Sequence, residues 1–110
     1  VRAPTLVLAV LLAGCAAPLP HPSARDAALA SARWPGASLE SLEAGRRLFV
    51  FRCTGCHRLH RPQERAPEAW PEVLDDMEKQ VHVSREERRL IEQFLVTIAA
   101  DRSELARGAR

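Results

Sequence analysis

Three side chains capable of chemistry fall within five residues, Cys53-Thr54-Gly55-Cys56-His57. Two thiols separated by two residues, followed directly by an imidazole, support several chemistries. The thiols can add across the vinyl groups of a haem and hold it by thioether bonds, while the imidazole ligates the iron from one face. C-x-x-C-H is the spacing at which that attachment occurs. Thr54 and Gly55 are small, so the backbone can lie close against a macrocycle. The same thiols could instead form a redox pair, bind zinc with His57, His60 or His82, or close a disulfide. A redox pair wants a βαβ setting, and the sequence offers no convincing strand. The zinc reading lacks a regularly spaced second pair of ligands. A disulfide across two residues removes little chain entropy. Haem attachment therefore fits the pentapeptide best.

A haem iron bound by His57 needs a sixth ligand or an open site. Met77 is the only methionine in the chain. It belongs to an apolar stripe, Trp70, Val73, Leu74 and Met77 at i, i+3, i+4 and i+7, which Val81 continues. The stripe predicts a helix from Glu68 to about Gln80, with Pro71 tolerated in its first turn. The thioether would face the core from that helix, so Met77 is the candidate distal ligand, against the plainer reading of a core-filling methionine. His60 lies three residues from His57, too near to reach the far face of the ring. His82 follows Met77 by five positions, about 140° away around an ideal helix. Both read as surface histidines.

Two further helices must hold these groups. Ser38 is a natural N-cap for a helix from Leu39 to about Arg52, with Glu40 and Glu43 near its positive end. Leu42, Gly45 and Phe49 share one face. A glycine in mid-helix costs roughly 1 kcal/mol relative to alanine, and close approach by another helix would explain it. Ser84-Arg85-Glu86-Glu87 has the form of a capping box. It opens a helix to about Ala100 with Leu90, Ile91, Phe94, Leu95 and Ile98 as its stripe, and Phe94 is the expected neighbour of Gly45. Arg58 to Ala66 reads as a loop. One of its carbonyls could orient the His57 ring. Arg52, Arg58, Arg61 and Arg65 surround the motif and read first as a solvated face; the alternatives are pairing with haem propionates or docking an acidic partner.

These residues resemble a small monohaem cytochrome c. In that family an N-terminal helix leads directly into the haem motif and crosses the C-terminal helix at a small residue, with an aromatic residue shortly before the motif; Gly45 and Phe49 resemble that pair. The resemblance implies an all-α domain of about three helices around one covalently attached haem c. It implies Cys53 and Cys56 as attachment points, His57 as proximal ligand and single-electron transfer as the function. The stretch from Cys53 to Met77, with Leu59, Pro62 and Trp70-Pro71, also resembles haem subunits of periplasmic oxidoreductases such as sulfite dehydrogenases.

Ahead of this domain, Arg2 precedes the apolar run Leu6 to Leu12, too short to span a bilayer, which takes about 20 residues. The order is that of a secretory signal. Leu12-Ala13-Gly14-Cys15 resembles a bacterial lipobox, which implies cleavage before Cys15 and its lipidation. The cysteine arithmetic then closes, since one lipid anchor and two thioethers use all three cysteines. Ala16 to about Ala37, with Pro18, Pro20, Pro22 and Pro35, reads as an extended tether. Its opening cannot form a helix, and Arg25 to Arg33 can hold a short helical turn.

The net charge of +2 is small, and the arginines alternate with acidic residues, so no nucleic-acid partner is expected. No tyrosine is present and aromatic residues are few, which removes stacking platforms for single strands. The expected organisation is a signal peptide over 1–14, lipidated Cys15 and linker over 15–37, the haem domain over 38–101 and a polar tail over 102–110. The expected protein is an electron carrier with no catalytic apparatus of its own. It would be lipid-anchored in the periplasm and exchange electrons with redox protein partners. The alternatives are a haem-based sensor of small ligands and a subunit of an oxidoreductase complex. A folded part of about sixty residues is marginal on an apolar core alone, so haem is expected to act as its staple.

Overall fold

Three helices begin where a serine turns back on the third helical residue. In the computed structural model, which describes residues 19–55 and 58–109, the helices are α1 (Ala24–Arg33), α2 (Leu39–Cys53), α3 (Trp70–Glu78) and α4 (Arg85–Gly108). The hydroxyls of Ser23, Ser38 and Ser84 accept the amides of Asp26, Ser41 and Glu87 at 3.1–3.2 Å. Each of those side chains accepts the serine's own amide in return, at 2.7–2.8 Å. Two orphan donors are satisfied at each helix start. Between α2 and α3 lie two 3₁₀ turns, Pro62–Glu64 and Pro67–Ala69. The described residues contain no strand, and the fold is all-α.

The expected pairing of Gly45 with α4 is present. A Cβ added at Gly45 would overlap the Leu90 carbonyl oxygen, lie 2.7 Å from its carbon and 3.0 Å from the Phe94 Cβ. The two backbones touch, and only glycine permits it. Beside the crossing, Phe49 meets Phe94 with ring centroids 6.3 Å apart and Trp70 edge-on at 6.4 Å. Leu74, Ile91, Leu95 and Ile98 complete the buried cluster.

Three boundaries differ from the sequence expectation. The stretch read as a tether contains α1, a helix of ten residues whose Asp26 and Ala30 are fully buried. It is fastened to α4 by Arg25, whose Nε donates to Asp101 at 2.5 Å. α4 runs past the expected end near Ala100 and on to Gly108, and Asp101, just beyond that expected end, is buried and paired with Arg25. α3 starts at Trp70, later than Glu68, because Pro67–Ala69 winds as 3₁₀. Among the described residues no helix is long and apolar enough to cross a membrane.

Candidate functional site

The last residue of α2 is Cys53, and α3 ends one residue beyond Met77. Both helix ends are fixed locally. Thr54 Oγ1 donates to the Val50 carbonyl at 2.8 Å. The Met77 carbonyl accepts the amides of Gln80 and Val81, each at 2.9 Å, so the chain turns away from helix there. α3 is held on α4 by Arg88, which donates to the Pro71 carbonyl at 3.1 Å and to Asp75 at 2.6 Å.

The loop after the motif is organised by Glu64. Its carboxylate accepts from Arg58 Nη1 at 3.0 Å and from the Arg61 amide at 3.2 Å, and pairs with His60 Nδ1 at 3.0 Å. Arg58, and then His60, hold its carboxyl below the usual carboxylate range. The Trp70 indole donates to the buried Pro62 carbonyl at 2.9 Å and pins the loop to the start of α3.

These elements enclose a cavity of about 210 Å³. Phe49, Cys53, Leu59, Trp70, Val73, Leu74, Met77 and Val81 give it apolar walls, and Arg52, His60, Arg65 and Gln80 also line it. A second void of about 20 Å³ is bordered by Cys53, Leu74 and Met77 as well. Cys53 and Met77 therefore border shared space. Cys53 is a free, half-buried thiol, and burial pushes its pKa up. It stays protonated and weakly nucleophilic near neutral pH.

Two of the expected site residues, Cys53 and Met77, come together on this cavity. Cys15, Cys56 and His57 lie outside the described residues. His60, expected as a surface histidine, keeps 36% of its side chain exposed and also lines the cavity. His82 is exposed, as expected. Of the four arginines near the motif, Arg52, Arg58 and Arg61 form ion pairs with Glu87 or Glu64, at 2.7–3.8 Å. Arg65 makes none among the described residues and lines the cavity. The roles of Arg52 and Gln80 in the lining had no sequence signal beyond nearness to Cys53 and Met77. Among the described residues no three His, Cys, Asp or Glu side chains are grouped to hold a metal ion.

The residues present fit a covalently held haem. The walls are apolar, Cys53 and Met77 border the same space, and Arg52 Nε is buried without a hydrogen-bond partner among the described residues. An anionic group such as a propionate would complete that donor. No family model, curated protein or solved structure matches the chain.

Proposed function

We propose that this chain is a monohaem c-type cytochrome that carries single electrons between redox partners and is held at a bacterial membrane, on the periplasmic side, by lipid on Cys15. One observation carries the reading. Cys53, the first thiol of C-x-x-C-H, and Met77, the only methionine, border one apolar cavity.

In this reading Cys53 and Cys56 each add S–H across a vinyl group, the sulfur going to one carbon and the hydrogen to the other, so no oxidant or reductant is consumed. His57 and Met77 would hold the iron. The bound iron supplies the one-electron chemistry. The chain supplies the rest. Phe49, Trp70 and Leu74 exclude water from the cavity, which lowers the local dielectric and favours the less charged redox state. A methionine ligand raises the reduction potential relative to two histidines. Arg52 and Arg65 offer positive charge to an anionic edge. The reading includes no catalytic residue.

The test is an absorption spectrum of protein matured in a host that attaches haem, before and after Met77→Ala. The expected result is thioether-linked haem with a sulfur-to-iron charge-transfer band that the substitution abolishes. Covalent haem with an unchanged spectrum would remove Met77 as ligand. Attention would then pass to an open position, and so to ligand sensing. No covalent haem, where a control cytochrome matures, would overturn the reading.

A further inference from the structure

The sequence alone leaves more than twenty residues of leash between Cys15 and the domain, long enough to suspend it well away from a bilayer. The fold removes most of that length. Arg46 on α2 donates from Nη2 to the Leu19 carbonyl at 2.9 Å and from Nε to the Pro20 carbonyl at 3.1 Å. His21 Nδ1 lies 3.5 Å from Glu43 Oε2 on the same helix. Leu19 packs on the main core, and Pro22 is buried. The chain is thus committed to the domain from Leu19 onward, and it then enters the capped helix α1.

Only three residues, four Cα-to-Cα steps, separate Leu19 from Cys15. Whatever their path, they span at most about 14 Å. The polar zone on each side of a bilayer's hydrocarbon core is itself roughly 6 Å deep. A lipid on Cys15 therefore holds Leu19 within about 8 Å of the outer edge of the headgroups.

The surface beside Leu19 suits that position. Leu39, Glu43, Arg46 and Val50 follow one another at helical spacing along α2, so the residues that grip Leu19 to His21 share a stripe with two exposed apolar side chains. Leu39 is 42% and Val50 36% exposed. Phe51, next around the helix, is 76% exposed, the most of any large apolar side chain described. Arg47 lies one turn before it, and both border one shallow depression. Exposed aromatic and aliphatic groups beside arginine are the composition of a face that lies in a membrane interface. The α2–α4 core does not use these side chains.

We propose that the outer face of α2, centred on Phe51 with Leu39, Val50 and Arg47, lies against the lipid surface to which Cys15 is joined. The inference rests on the lipidation of Cys15 in the reading above. Held within so short a reach, the face has a high effective concentration at the bilayer, so a contact too weak to bind alone is occupied most of the time.

The full lipidated chain, reconstituted in phosphatidylethanolamine and phosphatidylglycerol vesicles that contain a diazirine-bearing phospholipid, tests this. After illumination and trypsin, lipid adducts are located by mass spectrometry, and the N-terminal peptide is weighed in the same run. The expected result is a diacylglyceryl-bearing N-terminus with adducts enriched several-fold on the peptide spanning 48–52 over other exposed peptides. Phe51→Ser should remove most of that enrichment without unfolding the exposed site. A twenty-residue Gly/Ser insertion between Ala17 and Pro18 should at least halve it. A lipidated N-terminus with adducts spread evenly, or none above background, overturns the docked face and leaves the anchor standing. A 48–52 peptide labelled at the bilayer by Phe51→Ser as strongly as by the parent also overturns it. An N-terminus without lipid overturns the anchor and the docked face together.

Discussion

Two of the helix contacts of α4 are of opposite construction. Against α2 the contact is backbone to backbone, with Gly45 under the Leu90 carbonyl and Phe94 and Phe49 closing the sides. Against α1 it is small and polar. The fastening is Arg25 to Asp101 and Glu104, while the buried Ala30 of α1 packs with Ala37 and with Leu42 of α2. Gln93, Thr97 and Asp101 recur at four-residue spacing along α4, all buried. Asp26 Oδ1, Gln93 Oε1 and Thr97 Oγ1 lack partners among the described residues. Buried polar atoms without partners weaken a contact. The difference teaches which part of the molecule is rigid. The α2–α4 crossing holds Cys53 and the cavity, whereas α1 is the part expected to open first.

The largest break in this comparison is Gly45→Ala. Overpacking costs typically 1–3 kcal/mol, and here the obstruction is carbonyl backbone, which cannot rotate aside. Alanine returns about 1 kcal/mol of helix propensity. The expected net loss is about 2 kcal/mol, which for a domain of this size lowers the melting temperature by about 10 °C. Far-UV circular dichroism of the haem-loaded protein measures it. A melting temperature equal to or above that of the parent would mean that the helices part without cost and that the crossing is not the rigid element.

The same contrast explains what the sequence made legible. α2 and α4 announce themselves by apolar residues at helical period, by Ser38 and Ser84 as caps, and by a mid-helix glycine whose cost needs a reason. α1 has no such stripe. Its residues are mainly alanine, its surroundings are rich in proline, and its docking depends on Arg25 meeting Asp101, 76 residues away. One local sign was present, Ser23 followed by Asp26 at capping-box spacing. Asp101 misled for the same reason, since a charged residue after an apolar stripe reads as a helix end unless its partner is known. At the site, Met77 was legible through the stripe of α3. The placement of His60 and Arg65 on the cavity was not, because it follows from an irregular loop closed by Glu64 and by the Trp70 indole on Pro62.

A smaller effect sharpens the comparison from the side of α1. Ser23→Ala removes the hydroxyl that accepts the Asp26 amide and donates to its carboxylate at 2.8 Å. Loss of such a cap costs about 1 kcal/mol. If α1 is separable, the cost falls on α1 alone. Hydrogen exchange should speed up severalfold for amides between Ala27 and Arg33, with those of Ile91 to Ile98 unchanged, because local opening does not require the core to open. Equal acceleration in both segments would show that α1 and the crossing open as one unit.

The smallest expected effect concerns the acid limb of the α2–α4 contact. Glu87 sits in the Ser84 capping box and also accepts from Arg52 Nη2 at 2.7 Å, so it links the start of α4 to the end of α2 beside the cavity. The Ser84 amide first, and then Arg52, hold its carboxyl below the usual range, against a smaller opposing effect of burial. A carboxyl whose folded pKa is depressed contributes stability that is fully present above its unfolded value, about 4.3. That contribution is lost as the pH falls through the folded pKa. Glu87→Gln keeps an acceptor for the Ser84 amide but cannot titrate. The melting temperature of the parent should therefore fall more steeply than that of the variant below about pH 5, with the two curves parallel above it. Glu64 and Glu86 are depressed as well, but they titrate alike in both proteins, so the difference between the curves isolates Glu87. The pair is near the surface, and added salt should shrink the difference. Curves that stay parallel from neutral pH into acid would remove Glu87 as the link, and the crossing at Gly45 would then hold α2 to α4 without electrostatic help at the cavity end.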